Sequence, residues 1–75
     1  MRVTIVPDDQ YISIDDVGYN IITTYEENIH AIQWYDNFGT IEYKIGPQER
    51  FEDISRIQPY INVYMEQRKI NTRQS

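Results

Sequence analysis

The chain lacks cysteine and leucine, has one alanine, and scatters three glycines and three prolines singly along 75 residues. Without cysteine there are no disulfide staples, thiolate zinc centres or thiol nucleophiles, which fits a reducing compartment. The near loss of leucine and alanine removes the best helix formers. Solitary glycines leave no Gly-rich phosphate loop and no nucleophile elbow. Bases are scarce, seven against twelve acids, and no cluster of Lys and Arg stands ready to displace phosphate counterions, so no nucleic-acid partner is expected. No apolar run approaches the roughly 18 residues of a membrane span. The start, "MRVTIVPDD", does not read as a secretory signal, and a cytosolic product without membrane contact is the expectation.

What is present is β-branched and aromatic. Thirteen isoleucines, four valines and seven tyrosines favour pleated, half-buried surfaces, although AT-rich codon usage would also raise Ile and Tyr. The length suits a single β-rich domain over 1–75 that buries roughly 60% of its unfolded-chain surface. A core that small cannot take in ten aromatic residues, which leaves tyrosines free for protein contacts. Charge is uneven: residues 1–48 hold eight acids and two bases, residues 49–75 four acids and five bases.

Alternation sets the expected pairing. With "DNFG" (Asp36 to Gly39) as a four-residue loop, Trp34 opposes Ile41, Ile32 opposes Tyr43 and His30 opposes Ile45. One face then collects His30, Ile32, Trp34, Ile41, Tyr43 and Ile45; the other collects Ala31, Gln33, Tyr35, Thr40, Glu42 and Lys44. Gly39 is assigned the last loop position, where φ is often positive. With "PDDQ" (Pro7 to Gln10) as a second loop, Ile5 opposes Ile12 and Val3 opposes Ile14. "DDVGYN" reads as a turn around Gly18. "IITTYEEN" fits either a strand or a short helix within a longer loop.

Near the C-terminus the period changes. Ile61, Tyr64, Met65 and Arg68 fall at helical spacing, with Ile57 one turn earlier. Pro59 suits a first helical position and disfavours helical backbone at Gln58. A helix over about 59–70 is expected, its apolar stripe on the sheet face carrying Trp34, with 71–75 a frayed tail. The fold class is therefore α+β: an antiparallel sheet of four to five strands, built on two hairpins, with one C-terminal helix packed on one face. Its expected core is Ile5, Ile12, Ile14, His30, Ile32, Trp34, Ile41, Tyr43, Ile61 and Met65. Tyr11, Tyr19, Tyr35 and Phe38 fall outside it and are the candidate interface.

Candidate chemistry is thin. A general base needs a positioned partner, and His30, the one histidine, has none in sequence. The doublets Asp8-Asp9, Asp15-Asp16 and Glu26-Glu27 lack calcium-loop spacing and suit turns. A hydrolase using His30 and Glu42 would need both on one face, where alternation does not put them. No catalytic, cofactor-binding or metal-ligating residues are assigned, and no cofactor is expected.

The phrase "IHAIQWYDNFGTIEYKIG", followed by "IQPYINVYMEQR", resembles a group of small bacteriophage proteins of uncharacterised function. Their pattern is an I-H-A-I/V-Q-W-Y strand, a Gly turn, I/V-E-Y and a short helix with P-Y-I/V. The match runs over about residues 28–66, and the shared positions are His30, Gln33, Trp34 and Glu42. The resemblance implies a phage origin among virion and tail-related products, in host-cell cytoplasm or virion, and carries no activity to transfer. The expectation is a non-enzymatic structural or accessory module whose partner is a second copy or another phage protein. The alternative is an acidic inhibitor of a host protein that mimics nucleic acid.

Overall fold

The computed structural model describes residues 1–73. Six strands, β1 (Arg2–Val6), β2 (Tyr11–Ile14), β3 (Val17–Asn20), β4 (Ile29–Tyr35), β5 (Gly39–Tyr43) and β6 (Glu49–Phe51), precede one helix, α1 (Gln58–Arg73). The class is α+β. All strand pairs are antiparallel, in the order β3-β2-β1-β4-β5-β6. Two three-stranded meanders thus meet where β1 pairs with β4.

The first hairpin has the expected register, Val3 opposite Ile14 and Ile5 opposite Ile12. Pro7–Asp9 forms a 3₁₀ turn closed by Gln10 in the left-handed region. After β2 the chain reverses again into a third strand, where a turn alone was expected. Asp15 and Asp16 both take positive φ, 49° and 71°, as a two-residue hairpin turn requires. Gly18 lies within β3 opposite Ser13.

The second hairpin keeps the expected parity but shifts its offset. Trp34 opposes Gly39 and Ile32 opposes Ile41. The loop is Asp36-Asn37, with Asp36 at φ 81° and the Tyr35 N–H donating to the Phe38 carbonyl at 2.7 Å. Gly39 is a buried strand residue: a Cβ there would lie 2.5 Å from Phe51 Cζ and 2.6 Å from the Gln33 carbonyl oxygen. β1 pairs along the other edge of β4, Val3 with Trp34 and Ile5 with Ile32.

A bulge separates Ile29 from Ala31. The extra residue shifts the alternation, so Ile29 is fully buried and His30 is exposed rather than in the core. Beyond the bulge Tyr43 pairs with Ile29 and is half-buried against the core, while Ile45 stands 83% exposed.

The helical run starts earlier than expected. Asp53 caps a 3₁₀ turn over Ile54–Ile57, accepting from the Ser55 N–H at 2.9 Å, and the turn feeds straight into α1. Gln58 is helical, at φ −56° and ψ −39°. Capping upstream at Asp53 supplies the start expected of Pro59. Residues 71–73 are helical instead of frayed; 74 and 75 lie outside the described residues.

One core joins sheet and helix. Val3, Ile5, Ile12, Ile14, Ile29, Ile32, Trp34 and Ile41 meet Ile57, Tyr60, Ile61 and Tyr64, and Ile21 adds to them from the link. The buried stripe is thus 57, 60, 61 and 64, which leaves Met65 on the flank, 41% exposed and outside the core. Tyr64 is fully buried, donates its hydroxyl to the Val17 carbonyl at 2.7 Å and packs on Tyr19. Trp34 packs on Phe51, its Nε1 buried with no acceptor among the described residues.

Residues 21–28 form neither strand nor helix. They cross from edge strand β3 to central β4, strapped to the helix. The Tyr25 ring stacks on Tyr60 at 5.6 Å, and the Tyr60 hydroxyl accepts from the Glu26 N–H. The Arg56 guanidinium grips both Glu26 carboxylate oxygens, at 2.9 and 3.3 Å.

Candidate interaction surface

With the apolar residues turned toward α1, the opposite sheet face carries the alternate set, and the registers arrange it in rows. A central row runs Gly18, Ser13, Thr4, Gln33, Thr40 and Arg50. Thr4 donates to Gln33 Oε1 at 2.9 Å within it. Toward the Pro7–Gln10 turn lie Tyr11, Val6, Ala31 and Glu42. Toward the Asp36-Asn37 turn lie Arg2, Tyr35 and Phe38. No described element packs over these rows.

The last row holds a ladder of planar groups. The Arg2 guanidinium carbon sits 5.6 Å from the Tyr35 ring centroid, Tyr35 and Phe38 are 5.2 Å apart, and the Arg50 carbon is 4.2 Å from Phe38. Cation–π contacts of this kind contribute about 0.5–1 kcal/mol at exposed sites. The ladder holds two half-buried aromatic faces in place and puts two cations on an otherwise acidic molecule. Glu42 is a carboxylate on the same face, at the other end of β5, while Arg50 also pairs with Glu52 at 3.4 Å.

Three of the four candidate interface residues therefore share this face. Tyr11 lies across Gly18, where an added Cβ would meet its hydroxyl at 2.0 Å. Tyr35 and Phe38 belong to the ladder. Tyr19 does not join them: its register opposite Ile12 turns it inward against Tyr64. Arg2 and Arg50 escaped the sequence reading. Their signal was positional, since each falls at an outward strand position beside an outward aromatic.

The acids cluster at the two ends of the sheet and many are engaged. Lys44 pairs with Asp8 at 2.8 Å and lowers its pKa through that hydrogen bond. The Met1 ammonium does the same for Asp36, whose carboxylate raises the ammonium in turn. Asp15 accepts the Arg2 backbone N–H at 2.8 Å. The Ser55 N–H holds the Asp53 carboxyl below the usual range. No hydrogen bond or ion pair joins His30 to Glu42 among the described residues. Among those residues no group of three or more His, Cys, Asp or Glu could hold a metal ion, and no helix is long and apolar enough to cross a membrane.

Compared with known proteins, the chain matches no family model, no curated protein and no solved structure.

Proposed function

We propose that this chain is a non-enzymatic bacteriophage protein, a structural or accessory module of virion or tail that works by protein contact in the host-cell cytoplasm or the virion. The observation that carries the contact reading is the Arg2–Tyr35–Phe38–Arg50 ladder on a sheet face with nothing packed over it. Tyr and Arg are the residues that dominate binding energy at protein interfaces. Here both sit on rigid strands, so little conformational freedom is lost on contact. The phage setting rests on the resemblance of residues 28–66 to small phage proteins.

The arrangement of acids favours this reading over a nucleic-acid mimic. A mimic calls for carboxylates along one exposed ridge at regular spacing. Here most occupy turns and links, while Glu42, Glu49 and Glu66 lie in strands or the helix, and Asp8, Glu26, Asp36 and Glu52 are each paired with a cation.

The test tracks assembly of the encoding phage when the chain carries Tyr35→Ala with Phe38→Ala. The expected result is native-like circular dichroism for the purified variant and its depletion from particles or tail intermediates that contain the wild-type chain. Wild-type chain absent from every particle and intermediate, with assembly unaffected by its deletion, would overturn the proposal.

A further inference from the structure

We infer that the outer sheet face is occupied by a second copy of this chain, laid face to face so that each strand crosses its own counterpart about a two-fold axis along the central row. The inference rests on reading that face as a contact surface and goes further by naming the occupant.

The face is self-complementary, as an isologous contact demands. Rotation about the central row lays the Tyr11–Val6–Ala31–Glu42 end of one copy on the Arg2–Tyr35–Phe38 end of the other. Along β4, Ala31 then faces Tyr35, the smallest side chain against one of the largest. Along β5, Glu42 faces Phe38, where the Arg50 guanidinium lies 4.2 Å from the ring centroid. A carboxylate of each copy thereby meets a cation of the other, one that also pairs with Glu52 of its own chain at 3.4 Å, twice per dimer. Ser13, Thr4 and Thr40 are the small residues of the central row that meet their own counterparts. Two sheets in contact need short side chains somewhere to approach to about 10 Å.

The area sets the strength. Six strands at ~4.8 Å spacing and four to five residues at ~3.3 Å make a face of roughly 430 Å² in plan. A standard interface buries about 800 Å² per partner. The dimer is accordingly weak, at the low end of the size range, where transient contacts fall.

Sedimentation equilibrium over a micromolar-to-millimolar series tests this with Glu42→Arg and Arg50→Glu. Both positions are exposed, so each variant should keep the wild-type circular dichroism. Each alone puts like charges at both symmetry-related contacts and should raise the dissociation constant about tenfold or more. An equimolar mixture of the two should associate nearly as well as wild type, because a heterodimer of this geometry restores both opposite-charge contacts. Rescue on mixing cannot come from repair within one chain. A wild type that stays monomeric to millimolar concentration, or a mixture no better than the separate variants, would overturn the inference. If the chain is monomeric while phage assembly still depends on Tyr35 and Phe38, the contact reading stands and the second copy is eliminated.

Discussion

Replacing Trp34 measures how much of the fold hangs on the β4–β5 pairing. The residue is 4% exposed, and its ring lies 5.4 Å from Phe51 in the space that Gly39 leaves open. Truncating a buried tryptophan to alanine costs about 3–5 kcal/mol from lost transfer energy and the cavity left behind. Part of that is offset here. The indole Nε1 is buried without an acceptor, and a buried unsatisfied donor costs about 1–3 kcal/mol that the truncation removes. With that offset at its lower end, about 1 kcal/mol, the net loss for Trp34→Ala is about 2–4 kcal/mol. A chain this short has roughly 4–11 kcal/mol in total. At about 1 kcal/mol/M for a small domain in urea, the midpoint should fall by about 2–4 M, or the variant should be unfolded without denaturant. Trp34→Phe separates the two terms: it keeps a ring against Phe51 and deletes the orphaned N–H, so its loss should be about 1 kcal/mol or less. Circular dichroism is the appropriate signal, because these variants lose the one tryptophan. A midpoint for Trp34→Ala within about 0.5 M of wild type would refute the core placement. A Phe variant as unstable as the Ala variant would refute the argument from the unsatisfied donor.

Gly39→Ala should lower the urea midpoint by the equivalent of about 1–3 kcal/mol, since its Cβ meets the Gln33 carbonyl oxygen, a backbone atom that cannot swing aside. Tyr64→Phe should cost about 1 kcal/mol in the same assay by leaving the Val17 carbonyl without its hydroxyl donor. Burial raises the Tyr64 pKa above its ordinary value of 10.0, so its contribution is full below pH 10 and is lost as pH climbs toward the folded-state value; the Phe variant should show a shallower alkaline limb in a pH-stability profile. Asp53→Ala should destabilise at neutral pH by removing the cap on Ser55. The Asp53 pKa is lowered in the fold, so that deficit is present above about pH 4 and should shrink as acid protonates the carboxyl. Tyr35→Ala should leave the thermal midpoint within a few degrees of wild type and weaken self-association in sedimentation.

The sequence was legible where one physical rule acted alone. Alternation placed Ile5, Ile12, Ile32, Trp34 and Ile41 on one face, because a strand's period of two ties facing to parity and a slip of one residue would bury Gln33 and Glu42. Parity does not fix offset. Trp34 opposite Ile41 and Trp34 opposite Gly39 differ by two residues and satisfy the same pattern. The choice between them is made by the tolerance of Asp36 for positive φ in the two-residue turn and by the Phe51 ring, which needs the space that Gly39 leaves. Both are properties of turn and neighbour that alternation does not carry. Gly39 drew the turn assignment because glycine has two uses, freedom in φ and absence of a side chain; Phe51, twelve residues downstream, decides for the second. Gly18 misled in the same way. Its outward position is covered by the Tyr11 ring, so β3 tolerates a residue that strands otherwise disfavour.

The bulge was the costliest omission, and its effect reaches the candidate surface. One inserted residue at His30 lets Ile29 enter the core without disturbing the alternation of Ala31, Gln33 and Tyr35. Had the strand run regularly back from Trp34, His30 would point inward and Ile29 would lie on the outer face beside Ala31. A bulky Ile at that end of β4 would occupy the space next to the small residue on which the size complementarity with Tyr35 depends. The bulge thus serves both faces at once, adding an isoleucine beneath the helix and keeping the opposite surface shallow at Ala31. Deleting His30 tests the coupling. Without the inserted residue, plain alternation back from Trp34 still turns Ile29 inward opposite Tyr43 and leaves Ala31 outward, so stability and self-association should both be kept; loss of either would show that the bulge itself, and not the facing it produces, is required.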